Sequence, residues 1–184
     1  RRRCSERLRD WAGLADALEC EYREASALDR RERTTIARRL GDLCWQRLGS
    51  GERAAAGYRL ALDLDPDDLE AIRSLSVVTE ASMEPADLIP LHQREIELLG
   101  TEPNGRERRG ELWRKLATLY RSDDETRPEA IDAYLEAEKI ERLSAPDELA
   151  LARLFESVGN LEEFSTVFGR WCDREDAGSD VSDH

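Results

Sequence analysis

The chain has 184 residues and a formal net charge of -13. This length suits either one globular domain or a short array of stacked repeats. Charged residues make up 38% of the chain and aromatic residues only 6%, which is typical of amphipathic helices packed side by side. The negative charge argues against non-specific nucleic-acid binding, because the protein as a whole repels the phosphate backbone.

No apolar run approaches the ~20 residues needed to cross a bilayer, and no apolar leader segment follows the basic start at 1–4. The cysteines are far apart, without a CxxC pair or a neighbouring histidine cluster, which argues against a zinc or redox site. They are Cys4, Cys20, Cys44 and Cys172. We therefore predict a cytoplasmic protein with free thiols, no metal, no cofactor and no membrane contact. The missing initiator methionine indicates a segment of a larger protein.

The first element in chain order is a helix that bears Trp11, Leu14 and Leu18 at helical spacing. It resembles the second helix of a repeat near 1–28 whose first helix is cut short. Next come Ala37-x-x-Leu40-Gly41-x-x-Cys44 and then Ala54-x3-Tyr58-x2-Ala61-x4-Pro66. These two segments predict a pair of antiparallel helices near 34–66.

A second copy of this pattern lies downstream, as Trp113-x-x-Leu116-Ala117-x-x-Tyr120 followed by Ala130-x3-Tyr134-x2-Ala137, near 110–142. The pattern resembles the tetratricopeptide repeat family, W-x2-L-G-x2-Y then A-x3-F/Y-x2-A and a closing P, in the form of a bacterial-type array. The resemblance implies an all-α solenoid of antiparallel helix hairpins, with a right-handed superhelix of about ten helices. Small residues occupy the positions where the helices touch, and large ones fill the gaps. Other helical solenoids are the alternative.

Degenerate hairpins alternate with these good copies, near 69–100 and 145–173. Ala54 and Ala130, Leu40 and Leu116, and Leu88 and Phe164 each lie 76 positions apart, which indicates duplication of a two-hairpin unit. The prediction is therefore one repeat domain over 1–175 and a disordered acidic tail over 176–184. Within it, the run 65–68 is expected to end one helix and cap the next, and 100–105 to form a flexible joint.

Residues suited to catalysis are scarce. His92 falls where the family places a packing residue, and His184 is the last residue of the predicted tail. No nucleophile motif, HExxH pair or phosphate loop is present. The run Asp63-x-Asp65-x-Asp67 resembles the start of a calcium loop, but it lacks the central glycine and carries Ser74 at the twelfth position. We therefore predict that the chain is not an enzyme.

In the resembled family, the first helix of each hairpin lines a concave groove. Arginine occupies the fifth repeat position in three successive hairpins, as Arg38, Arg73 and Arg114. Arg forks bind carboxylates bidentately, so the hypothesis is that this basic ladder grips acidic groups of a peptide or protein. The alternative is local pairing, as between Arg38 and Asp42 at i,i+4 spacing. The candidate partner-binding residues, with Trp45 as an aromatic anchor, are Arg38, Arg39, Trp45, Arg73, Arg114, Lys115, Arg121 and Arg153.

The predicted function is a protein-interaction scaffold that binds a peptide or protein segment in this groove. One alternative is a structural spacer or self-association element that acts through the terminal helix bearing Phe164, Phe168 and Trp171. Another is a regulatory repeat domain for an enzymatic domain in the same protein. The sequence leaves the oligomeric state open.

Overall fold

The structure is a computed structural model that describes residues 10–24, 29–82 and 85–179. These residues form α-helices joined by short turns, and no strand occurs among them. The helices are α1 (Trp11–Glu24), α2 (Arg30–Leu43), α3 (Gly51–Leu64), α4 (Leu69–Ser82), α5 (Pro85–Leu99), α6 (Arg106–Tyr120), α7 (Arg127–Ile140), α8 (Ala145–Ser157) and α9 (Leu161–Ser179). The predicted all-α solenoid of helix hairpins is confirmed.

Two compact units make up the chain, the first ending at Leu98 and the second beginning at Leu99. This boundary lies beside the segment 100–105 that the sequence marks as a joint. Helix α9 runs to Ser179, so it extends into the segment predicted as an acidic tail, and 180–184 lie outside the described residues. Of the predicted first repeat, the structure describes α1, while Cys4 lies outside the described part of the chain.

Helices α2 and α3 pack closely because small residues line their contact. Ala54 and Ala61 are fully buried, and Tyr58 fills the space between the helices at 2% exposure. A Cβ atom at Gly57 would lie only 2.7 Å from the backbone nitrogen of Gly41. The glycine at 57 therefore sets the distance between the two helix backbones. Sequence reasoning found the alanines and the tyrosine but not this glycine.

The end of α2 departs from regular geometry. Cys44–Leu48 form a π-helical turn, and Gly49 follows in the left-handed conformation with φ 62°. A π turn accommodates one extra residue and shifts the side chains after it around the helix. Trp45 lies within this turn, where it is half-buried and packs against the core of the first unit.

The turn between α3 and α4 is a helix end followed by a cap, as predicted. Helix α3 ends at Leu64, and Asp68 Oδ1 accepts hydrogen bonds from the backbone N–H groups of Glu70 and Ala71, each at 3.1 Å. A capping carboxylate satisfies N–H groups that a first helical turn leaves without partners.

Over the described ranges, no three His, Cys, Asp or Glu residues are grouped so that they could hold a metal ion.

The second unit is also built of helix hairpins, with different side-chain contacts at the helix ends. Ser144 caps α8 by accepting a hydrogen bond from the Asp147 N–H at 3.3 Å. Glu148, in the first turn of α8, is fully buried and accepts a hydrogen bond from Arg174 Nη2 at 3.0 Å. This contact ties α9 to the start of α8. None of the helices in the described ranges is long and apolar enough to span a bilayer.

Candidate functional site

The first helices of two consecutive hairpins form a cavity of about 450 Å³ in the first unit. Its lining residues belong to α2 and α4 at the positions that the repeat pattern assigns to the groove. They are Thr35, Arg38, Arg39, Asp42, Glu70, Arg73 and Ser74. Three of the eight candidate residues, Arg38, Arg39 and Arg73, are therefore brought together in one cavity.

Arg38 connects α2 to the start of α4. Its guanidinium forms ion pairs with Asp68, at 3.3 Å, and with Glu70. The i,i+4 pair with Asp42 predicted as the alternative is wrong, because the Asp42 carboxylate instead accepts a hydrogen bond from the Tyr58 hydroxyl at 2.8 Å. Both burial and this carboxylate raise the pKa of Tyr58. The first of the ladder arginines thus holds two hairpins together.

Arg73 pairs with a buried carboxylate. Its Nε donates to Glu95 Oε1 at 2.7 Å, and the Glu95 side chain is fully buried while that of Arg73 is 44% exposed. A buried carboxylate requires a nearby cation or hydrogen-bond donors, because its desolvation is costly. Arg73 therefore stabilises the α4–α5 hairpin as well as lining the cavity. The sequence shows Glu95 at a helix-phase position, but not that it is buried.

Arg39 differs from its neighbours. It is exposed, it lines the cavity, and no carboxylate in the described ranges lies within 4.0 Å of its side chain. A guanidinium in that position retains its full set of five N–H donors for a bound group. Arg39 is therefore the cation of this cavity best placed to contact a partner.

In the second unit the predicted basic residues separate into two groups. Arg114 lies 3.5 Å from Glu141, and Lys115 lies 3.7 Å from Glu111. Arg121 and Arg153 instead line a different cavity of about 290 Å³, which lies along α8 beside the end of α6 and the start of α7. The eight candidate residues thus divide among two cavities, two surface ion pairs and, for Trp45, a core contact.

The two units differ in chemistry at equivalent positions of the repeat. At positions 76 residues apart, the pair Arg73 and Glu95 corresponds to Leu149 and Trp171. One copy thus joins its hairpin through an ion pair, and the other carries an apolar pair at the same two positions. His92, which lies one turn before Glu95, is buried at 1% exposure with its Nε2 atom 3.8 Å from Glu80.

The second cavity has no basic counterpart in the first unit. Arg121 corresponds to Trp45, and Arg153 corresponds to Val77, which is 52% exposed. Sequence reasoning selected Arg121 and Arg153 separately, by repeat position. It missed Arg127, which lines the same cavity from the start of α7, because α7 is a second helix and was not expected to contribute to the groove.

No protein-family model and no curated protein sequence matches the chain. Solved structures do. A crystal structure of MamA superposes with a TM-score of 0.56 and 20% identity over 93% of this chain and 92% of that one. A crystal structure of YrrB, described as a TPR protein with an unusual peptide-binding site, gives a TM-score of 0.57 and 18% identity over 90% and 78%.

A third structure, BtubC from P. vanneervenii, gives a TM-score of 0.53 and 18% identity over 94% of this chain and 77% of that one. At these identities the likeness concerns the fold. The repeat pattern, the helix hairpins and these neighbours agree: this chain has a tetratricopeptide-like helical-repeat fold.

Proposed function

We propose that the chain is a protein-interaction scaffold that binds a peptide or protein segment on the surface formed by the first helices of its hairpins, and that it carries out no catalysis itself. The observation that carries this proposal is the first-unit cavity, where groove positions of α2 and α4 meet around Arg39. Exposed guanidinium groups recognise carboxylates through paired hydrogen bonds. Partners with acidic groups fit this surface best.

Two further observations support the proposal. The fold is shared with YrrB, which is described as having a peptide-binding site. In addition, Arg38 is paired with Asp68 and Arg73 with Glu95, so ion pairs already orient the side chains around Arg39 when no partner is bound. A preorganised surface loses less conformational entropy on binding than a flexible one.

Charge reversal of Arg39 tests this function without disturbing the packing. In a pull-down from a lysate of the source cells, Arg39→Glu should reduce the amount of captured partner at least about tenfold, the effect of losing one charge-assisted contact. The readout is quantitative mass spectrometry of the bound proteins. Arg31→Glu is the matched control, because Arg31 is an exposed arginine on α2 that does not line the cavity.

Both variants should unfold at the temperature of the parent chain. Equal capture by the Arg39→Glu variant and the parent would contradict the proposal. Arg73→Glu is not a suitable probe for this purpose, since it would place a second carboxylate beside the buried Glu95.

A second candidate function, self-association, is favoured by the terminal helix. On α9, Phe164, Phe168 and Trp171 stack with ring centroids 5.3 and 5.5 Å apart, and all three are half-buried. Their counterparts in the first copy, 76 residues earlier, are Leu88, His92 and Glu95, exposed by only 7%, 1% and 0%. The face that is covered in α5 is thus partly open in α9.

Static light scattering over a range of protein concentrations tests this second function. If copies associate through α9, the mean mass should rise with concentration, and Leu161→Glu should abolish the rise, because Leu161 continues the aromatic row and is 67% exposed. Val77→Glu also replaces an exposed apolar residue by glutamate, but in the first unit. It should leave the rise of mean mass with concentration intact. A constant monomer mass would exclude self-association through this helix.

A further inference from the structure

The cavity of the second unit is lined by basic and by apolar side chains. Arg121, at the end of α6, Arg127, at the start of α7, and Arg153, on α8, supply three guanidinium groups, and no acidic residue is among those that line it. This concentration of positive charge lies on a protein whose net charge is -13. Such a local reversal of charge attracts an anionic group to one place on the surface.

Most of this charge is not neutralised by the protein. Arg127 pairs with Asp124 at 2.5 Å. For the exposed Arg121 and Arg153, the described part of the chain offers no carboxylate within 4.0 Å. Arg121 lies close enough to the buried Tyr134 to counteract part of the rise that burial causes in the pKa of that tyrosine. Two positive charges therefore remain for a bound group.

The apolar residues that line the cavity indicate which group lies beside the anion in the bound molecule. Leu149 and Ala150 are half-buried and Leu154 is buried, with Pro146 at the edge. An apolar lining beside the arginines favours an aliphatic side chain rather than a hydrated ion alone. The occupant thus joins a strongly anionic group to a neighbouring apolar side chain, as a peptide does.

We propose that this cavity binds a phosphorylated serine or threonine in a peptide, next to an aliphatic residue that rests on Leu149 and Leu154. A phosphomonoester carries a charge of about -1.5 to -2 at pH 7 and three strong acceptor oxygens, which match two free guanidinium groups. A single carboxylate would balance only one of them. Arginine forks also bind phosphate oxygens bidentately.

This inference rests on the proposed function, since it assigns the class of partner that the cavity of the second unit binds. The duplication provides a control within the chain. The first unit carries Trp45 and Val77 at the positions of Arg121 and Arg153. Arg121→Trp combined with Arg153→Val therefore replaces both cations by the residues found 76 positions earlier in the chain.

Isothermal titration with three capped peptides tests the proposal. Each places one central residue between two leucines: phosphoserine in the first, serine in the second and glutamate in the third. The phosphoserine peptide should bind the parent chain at least about tenfold more tightly than either of the others, a difference of one strong charge-assisted contact. Inorganic phosphate should displace it only at a much higher concentration, because phosphate lacks the leucines.

The double variant should bind all three peptides equally, and Arg121→Lys with Arg153→Lys should retain part of the preference, since charge remains but the forks are lost. Far-UV circular dichroism melting should be the same for each variant and the parent. Equal binding of the phosphoserine and glutamate peptides would overturn the proposal in favour of a carboxylate site. Equal binding of the phosphoserine and serine peptides, or a preference that survives in the double variant, would also overturn it. The capture that depends on Arg39 would be unaffected by any of these outcomes, so the proposed function fails or stands separately.

Discussion

Arg73→Ala should lower the free energy of unfolding by about 2 kcal/mol, because it removes a cation from a fully buried carboxylate. Glu95 would then remain desolvated without the guanidinium group that lies 2.7 Å from it. The partial exposure of Arg73 keeps the expected loss below that of a completely buried pair. Urea unfolding followed by far-UV circular dichroism measures the change, as a shift of the transition to lower urea.

A matched double variant separates the charge effect from packing. Arg73→Leu with Glu95→Met replaces the ion pair by apolar side chains of similar size, as the second unit does with Leu149 and Trp171. Most of the lost stability should return, since buried ion pairs are often replaced by apolar residues without cost. If Arg73→Ala unfolds at the same urea concentration as the parent chain, the ion pair does not stabilise this hairpin.

Gly57→Ala should destabilise the first unit by about 2 kcal/mol, although alanine is ordinarily the better helix former by about 1 kcal/mol. The added methyl group would lie 2.7 Å from the Gly41 nitrogen and 2.9 Å from its Cα atom. Backbone atoms cannot rotate away, so α2 and α3 must separate. The steric cost exceeds the gain in helix propensity, so the net effect of Gly57→Ala is a lower free energy of unfolding.

The second unit supplies the control for this prediction. Ala133 and Ala117 occupy the positions of Gly57 and Gly41, and both are buried, so the α6–α7 hairpin already accommodates the two methyl groups. Ala133→Gly should therefore cost about 1–2 kcal/mol, the difference in helix propensity together with the loss of one buried methyl group. Thermal unfolding of both variants checks the pair. A Gly57→Ala variant that is more stable than the parent would contradict the close approach of α2 and α3.

Much of the fold follows from the sequence because its determinants are local. Alanine and tyrosine at fixed spacing predict which faces of α2 and α3 meet, and the aspartates at 65–68 predict where α3 ends and α4 begins. Trp45, expected to be an aromatic anchor, is half-buried and packs against the core of the first unit. The sequence does not show the π turn at Cys44–Leu48, within which Trp45 lies.

The candidate site was harder to predict because it depends on pairs of residues from different helices. Repeat positions correctly place Arg38, Arg39 and Arg73 on one surface. They do not show that Arg38 pairs with Asp68 or that Arg73 reaches a buried Glu95. These long-range contacts decide which arginine is available to bind a partner. Arg127 enters its cavity from a second helix, so no rule about first helices could have selected it.

Site-specific photo-crosslinking tests the central claim most directly, namely that partners bind on the first-helix surface. A photo-reactive amino acid in place of Thr35 lies in the α2–α4 cavity, and one in place of Glu52 lies on an exposed part of α3 that does not line it. The proposal predicts a defined cross-linked partner from position 35 alone, and its loss when Arg39→Glu is added. Cross-links of equal yield from position 52, or none from position 35, would contradict it.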